Sequence, residues 1–243
     1  MSPDDRPVGS LLSRREALTL LGATGFAALS GYRFPVTRAA RAGTGPCVVR
    51  PAQTEGPYFV DESLHRSDIR TNPGDTAIKP GLPLDLMILV SRLAANRCEP
   101  LAGVQVDVWH CDHLGVYSDV RDPRFDTVGQ KFLRGYQVTD AQGQVRFTTI
   151  YPGWYEGRTV HIHFKIRSPS AARRGFEFTS QLYFDDAFSD QVFARAPYAG
   201  RKPRSMHNDD DGIFGDGGRQ LLLEVTPQGG GYATTFHVAL QGA

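Results

Sequence analysis

The chain has 243 residues and a formal net charge of +1, with 40% hydrophobic and 22% charged residues. That length carries one domain with a sizeable core, or two small ones, and the near-neutral charge argues against nucleic acid as the main partner, which demands a clustered basic surface. Its 26 glycines and 16 prolines favour a turn-rich β protein over a helical bundle.

The N-terminus reads as an export signal. Ser13-Arg14-Arg15-Glu16-Ala17-Leu18 opens an apolar run that reaches Leu29, and small residues lead on to Ala39-Ala40. A charged start, a short apolar stretch and a small-residue end describe a signal peptide, and the paired arginines point to the twin-arginine route. The run is too short for a membrane span of about 20 residues. The expectation is a signal over residues 1–42, cleaved near residues 40–43, and one folded domain over 43–243 that works in the periplasm or outside the cell. Twin-arginine clients cross already folded, which suits a protein that takes up a metal in the cytoplasm.

Residues 44–80 read as an irregular arm that holds the Gly56-Pro57 break and the Asn72-Pro73-Gly74-Asp75 turn signal. Leu84–Val90 is a strand-length apolar run. Val104–Trp109 alternates, with Val104, Val106 and Val108 on one face and Gln105, Asp107 and Trp109 on the other. Cys111–Asp126 reads as a loop containing Gly115-Val116-Tyr117. Phe132–Thr139 and Gln144–Ile150 read as a hairpin about Asp140–Gly143. Further strands are expected at Phe178–Phe184, Gln220–Val225 and Ala233–Leu240, with a polar loop at Ser168–Arg174 and a short helix within Asp185–Arg195. Asn208–Gly212 lacks the spacing of a calcium loop and reads as a solvated turn. Many short strands between turns predict an all-β fold, a two-sheet sandwich with an irregular N-terminal arm and long loops.

Three cysteines, Cys47, Cys98 and Cys111, meet an oxidising compartment after export. Cys98 and Cys111 flank a strand, which holds their Cα atoms beyond the ~7 Å bridging limit. Cys47 is then the common partner, and Cys47–Cys98 the expected bridge. Cys111 as a thiolate metal ligand is the alternative.

The stretch from Tyr151 to Ile166 carries the chemistry. Val160, Ile162, Phe164 and Ile166 share one face of a strand, and His161, His163 and Lys165 share the other. Two imidazoles side by side can bind one metal ion, although an H-x-H on a strand also occurs as a plain polar half-face. Tyr155 follows the Pro152-Gly153 turn, where it can fold back toward the histidines, and Arg158 lies between that turn and the His pair. His110 and His113 form an H-x-x-H near Tyr117, which leaves them a supporting role beside a metal.

Taken together, Thr54-Glu55-Gly56-Pro57-Tyr58, Val106-Asp107-Val108-Trp109, Gly115-Val116-Tyr117, Pro152-Gly153-Trp154-Tyr155, Arg158, His161-Ile162-His163-Phe164 and Ser180-Gln181-Leu182-Tyr183-Phe184 resemble the intradiol ring-cleavage dioxygenases of the protocatechuate 3,4-dioxygenase and catechol 1,2-dioxygenase type. The resemblance implies a β-sandwich with one non-haem Fe(III) per chain, held by Tyr117, Tyr155, His161 and His163. It implies catalytic roles for Arg158, Tyr155 and Tyr117, and a substrate pocket lined by Tyr58, Trp154, Gln181 and Arg158. The partners implied are a catecholic small molecule and O2, with cleavage between the two hydroxylated carbons to a cis,cis-muconate-type dicarboxylic acid. The residues preceding the His pair, Gly157-Arg158-Thr159-Val160, differ from the Trp-Arg-Pro-Ala of protocatechuate enzymes, so catechol, protocatechuate, hydroxyquinol and caffeoyl-type compounds all stand as substrates. Two other functions compete: an extracytoplasmic metal- or carbohydrate-binding sandwich without turnover, and a zinc hydrolase built on His161 and His163.

Overall fold

A computed structural model of the chain describes residues 47–95, 97–169 and 175–241. The expected signal and most of the expected Ser168–Arg174 loop lie outside the described residues. The strands are β1 (Pro83–Ala94), β2 (Arg97–Pro100), β3 (Gln105–Trp109), β4 (Arg121–Asp122), β5 (Phe125–Asp126), β6 (Arg134–Val138), β7 (Gln144–Ile150), β8 (His161–Arg167), β9 (Glu177–Tyr183), β10 (Val225–Gln228) and β11 (Gly231–Gln241). Two short helices, α1 (Asp186–Phe193) and α2 (Gly212–Gly215), lie between β9 and β10. Asp185 caps α1 by accepting from the Phe188 amide. No helix among the described residues is long and apolar enough to cross a membrane.

The predicted all-β sandwich is the fold that forms. One sheet runs β10-β11-β1-β2, with β7 also paired to β1. The other runs β6-β3-β8-β9, and β4 and β5 make a separate small ribbon. Strand alternation decides what lies between the sheets. Leu84, Leu86, Ile88 and Val90 of β1 meet Val106 and Val108 of β3 and Ile162, Phe164 and Ile166 of β8 in one core. The Phe164 and Phe236 rings cross the gap at 5.7 Å. Each such side chain contributes roughly 1.5–3 kcal/mol by leaving water.

Residues of opposite parity then fall on the outer face of the second sheet. Register sets Arg134, Trp109, His163 and Gln181 in one row across it, through the pairs Trp109↔Arg134, Trp109↔His163 and His163↔Gln181. This face is covered rather than wet: His161, His163, Lys165 and Gln181 are all buried. The N-terminal arm lies across it. Gln53 N donates to Thr179 O at 2.9 Å, Ser180 Oγ to Pro51 O at 2.8 Å, and Gln181 Nε2 to Thr54 O at 3.0 Å. Lys165 pairs with Glu55 and Glu177, its ammonium 4.0 Å from the Phe59 ring centroid.

The arm is anchored by the Cys47–Cys98 disulfide, the expected pair, with Cα atoms 5.5 Å apart. Cys111 is free and buried. Burial pushes its thiol well up, and Sγ donates to Gly153 O at 3.7 Å, so it is a protonated packing group and no thiolate. The expected strand Gln220–Val225 is not one. The chain turns through a 3₁₀ segment at Gly218–Leu221, and β10 begins only at Val225. Gly217 has φ +83°, and a Cβ on Gly218 would meet Phe214 Cδ2 at 2.5 Å. The two glycines serve a close turn and end the extended chain.

His110 ties the two sheets at their end. Its Nδ1 donates to Cys111 O at 2.8 Å, which leaves Nε2 as acceptor for Thr149 Oγ1 at 2.6 Å. Burial lowers its pKa from 6.5 to about 4, so the folded protein keeps it neutral where an unfolded chain protonates it. The stability this confers is complete above pH ~6.5 and falls as the pH drops toward ~4, by about 1.4 kcal/mol per pH unit for one site. Urea melts across that window should show a shallower slope for His110→Gln than for the wild type; equal slopes would contradict the assignment. Under oxidising conditions Cys47→Ala/Cys98→Ala should lower the unfolding free energy by about 2–4 kcal/mol, and an unchanged melt would mean the bridge closes no loop of consequence.

Candidate metal centre

β8 presents His161 and His163 outward, with their Nε2 atoms 3.0 Å apart. Tyr117 comes from the β3–β4 loop and Tyr155 from the turn before β8. Tyr117 Oη lies 3.3 Å and Tyr155 Oη 3.2 Å from His161 Nε2. Four side chains picked from two stretches of sequence therefore converge on one spot.

The chemistry of this cluster fits a bound cation. His161 Nδ1 donates to Thr159 O at 2.7 Å, which fixes the tautomer and leaves one lone pair on Nε2. Two phenols and a second imidazole crowd that single lone pair. With metal–donor bonds of about 2 Å, neighbouring donors sit roughly 3 Å apart, the spacing seen here. Burial lowers the His161 pKa to about 3 and holds His163 well below its usual value, so both rings are neutral and free to ligate. Burial first, and then each other's proximity for Tyr117, keeps the Tyr117 phenol well above its ordinary pKa, and burial raises Tyr155 likewise. Neither ionises unaided, whereas a coordinated cation removes a phenol proton readily. Phenolate is a hard anionic oxygen donor, which suits ferric iron. Among the described residues no group of three or more His, Cys, Asp or Glu side chains gathers, so the third ligand and base a zinc hydrolase requires is not beside the His pair.

The neighbours fix the donors. The Trp109 ring lies flat on His163, centroids 4.9 Å apart and planes 8° from parallel. A Cβ on Gly56, whose φ is +71°, would come to 3.4 Å from His163 Cε1, so the arm passes directly over that imidazole. Thr127 Oγ1 donates to Tyr117 O at 2.7 Å. Arg134 Nη2 donates to Ser118 O at 2.7 Å, and its Nε to Ser118 Oγ at 2.9 Å.

Arg158 is held beside the cluster. Its Nε donates to Asp211 Oδ2 at 2.9 Å and its Nη2 to Gln181 Oε1 at 2.6 Å. Burial works to lower its pKa, but the facing Tyr155, Asp211 and Tyr183 more than offset this, and the net shift is upward. It stays a cation. Asp211 corrects the reading of Asn208–Gly212 as a solvated turn: its side chain is 2% exposed, and its carboxylate accepts from Thr159 N at 2.9 Å and caps α2 through Ile213 N. The Asp211-Gly212 pair ahead of Ile213-Phe214 is the helix-start signal that could have revealed it. Arg134 carried no motif, and the Val106–Trp109 motif assigned Trp109 no role; strand register brings both here.

Tyr58 stacks on Tyr117 at 4.5 Å, and its hydroxyl donates to Asp122 Oδ2 at 2.7 Å. Trp154, expected in the pocket, packs elsewhere. Its ring joins the main core against Phe193 at 4.4 Å and under the Arg201 guanidinium at 3.7 Å. Of the H-x-x-H pair, His110 is spent on the sheet junction, and His113 lies 6.4 Å from the Tyr198 ring.

A family model described as "Dioxygenase" matches residues 54–201, more than half of the chain. Catechol 1,2-dioxygenase 2 of Acinetobacter lwoffii is 31% identical over 180 residues, which cover 63% of this chain and 58% of that protein. The intradiol ring-cleavage dioxygenase from Tetranychus urticae has a similar structure, with a TM-score of 0.68 at 32% identity, over 80% of this chain and 95% of that one. The dioxygenase domain of a dioxygenase–carbohydrate-binding protein fusion from Streptomyces sp. SirexAA-E gives 0.56 at 33% identity, over 81% and 100%. The chain spans little more than half the length of the first curated relatives it matches. The matched residues 54–201 take in both tyrosine loops and the His strand, and on that footing the chain belongs to the intradiol dioxygenase family.

Proposed function

We propose that this chain is a non-haem Fe(III) intradiol dioxygenase, with one iron held by Tyr117, Tyr155, His161 and His163. The observation that carries the reading is the approach of Tyr117 Oη, Tyr155 Oη and His163 Nε2 to within 3.0–3.3 Å of His161 Nε2. Bound there, ferric iron would supply Lewis acidity toward a catechol, and the reaction proposed is O2-dependent cleavage between the two hydroxylated carbons to a cis,cis-muconate-type dicarboxylic acid.

The chain's own residues do the rest. Tyr155 Oη is the better placed of the two phenolates to take up a catechol proton. Tyr117 is pinned by the Tyr58 ring and by Thr127, whereas Tyr155 is only partly buried as a residue. Arg158 holds its positive charge in a dry site and stabilises the negative charge of the bound diphenolate. Gln181 and Asp211 aim that guanidinium and prevent it from swinging away. Tyr58 walls the pocket beside Tyr117. Trp109 and the Thr159 carbonyl hold the two imidazoles in orientation, as partners of metal-bound histidines generally do.

The same proposal carries the chain out of the cytoplasm by the twin-arginine route. Arg14-Arg15 ahead of the apolar run supports it, as does the Cys47–Cys98 disulfide, which persists in an oxidising compartment.

Purified protein should hold one iron per chain and absorb visible light, as ferric tyrosinate does, and should consume O2 with at least one compound of a catechol, protocatechuate, hydroxyquinol and caffeoyl panel. A colourless protein holding zinc, or a coloured one inert to every catechol, would contradict the reading. Tyr155→Phe should bleach part of the absorption and cut turnover by more than the ~10–100-fold that loss of an outer partner costs. Arg158→Ala should keep its iron yet lose roughly 10²–10³-fold in turnover; loss of iron instead would make Arg158 a structural residue.

A further inference from the structure

Tyr117 and Tyr155 stand on different loops, so the spacing of their phenols depends on what joins those loops. The two backbones touch. Gly115, with φ +84°, has no room for a side chain: a Cβ there would lie 2.3 Å from Trp154 O and 3.2 Å from Tyr155 Cβ. On one side Asp112 makes the junction. Its carbonyl accepts from Gly115 N at 2.9 Å within its own loop and from Gly153 N at 3.2 Å across the gap. Its buried carboxylate accepts from Leu114 N and Val116 N and pairs with Lys79 at 3.1 Å.

On the other side the junction is a single side chain from outside both loops. Arg201 Nη1 donates to His113 O at 2.5 Å, and Nη2 donates to Leu114 O and Trp154 O, each at 2.9 Å. Two of these carbonyls lead to Tyr117, and the third belongs to the residue before Tyr155. The guanidinium carbon also lies over the Trp154 ring, 3.7 Å from its centroid. A planar fork of donors meets three carbonyls and an aromatic face together, and an ammonium has neither the fork nor the plane.

We infer that Arg201 is a positioning residue for the tyrosine pair: it locks the 113–114 and 154 backbones together and thereby sets the spacing of Tyr117 Oη and Tyr155 Oη at the metal centre. The inference rests on the metal site proposed above. Arg201 touches no reacting atom; it acts through the two loops. This also gives Trp154 its place, since its ring is the surface against which the brace is clamped.

The test uses full-length protein loaded with ferric iron and challenged with a strong chelator. Arg201→Ala should release iron at least about tenfold faster than wild type, and the visible absorption of the iron still bound should shift or broaden. Arg201→Lys should fall between the two, and it keeps the inference testable if the alanine variant does not fold. Arg204→Ala is the matched control: it deletes a buried guanidinium whose partners among the described residues are Asp186 and Asp190, and it should leave both readouts at wild-type values. Hydrogen exchange on the metal-free protein reads the brace without iron. The amides of Gly115, Val116 and Gly153 should exchange at least about tenfold faster in Arg201→Ala, with those of β8 unchanged. Wild-type iron release, absorption and exchange in the Arg201 variants, or equal changes in Arg204→Ala, would overturn the inference. A wild-type protein that takes up no ferric iron would sink the proposed function instead, and exchange alone would then decide whether Arg201 joins the loops.

Discussion

One lone pair, on His161 Nε2, has three polar groups around it. The Thr159 carbonyl holds the ring's proton on the far nitrogen, so Nε2 cannot turn donor, and Tyr117, Tyr155 and His163 all press toward it. A hydrogen bond from one of them leaves the others poorly served. A multivalent cation serves them all, since it converts competing donors into common ligands. Much of the surrounding architecture follows from the need to hold this crowded arrangement against its own repulsion and desolvation.

That holding is done in layers. The sandwich core fixes β8 by burying Ile162, Phe164 and Ile166 between the sheets, which forces His161 and His163 onto the outer face. Trp109 and Gln181 flank His163 on the adjacent strands. The arm then covers a face that would otherwise meet water, fastened by the Cys47–Cys98 bridge at one end and by the Lys165–Glu55 ion pair farther along. Last come the two tyrosine loops, joined through Asp112 on one side and Arg201 on the other. Arg158 stays charged beside this cluster, held between Asp211 and Gln181.

Much of this was legible in the sequence because it obeys a period of two. The alternation of Val160 to Ile166 gave both the strand and the pairing of the imidazoles, and the short runs between glycines and prolines gave the sandwich. The motifs around Tyr117 and Tyr155 are distinctive when taken together, and the structure brings both hydroxyls to within 3.3 Å of His161 Nε2. What stayed hidden depended on register and on distant loops. Nothing local marks Trp109 as the ring against His163, and Asp211 sits in an acidic run whose neighbours Asp209 and Asp210 are indeed solvated. Trp154 was misplaced because its position beside Tyr155 suggests the pocket, while the turn directs its ring toward Phe193 and Arg201. Gln220–Val225 looked like a strand from its leucines, and Gly217-Gly218 turned it into a 3₁₀ segment.

The most direct test of the central claim is anomalous diffraction at the iron edge from crystals of the iron-loaded protein. The expected result is one strong peak per chain, about 2 Å from each of Tyr117 Oη, Tyr155 Oη, His161 Nε2 and His163 Nε2. A peak elsewhere in the molecule, or one bound by the imidazoles with both phenols turned away, would contradict it.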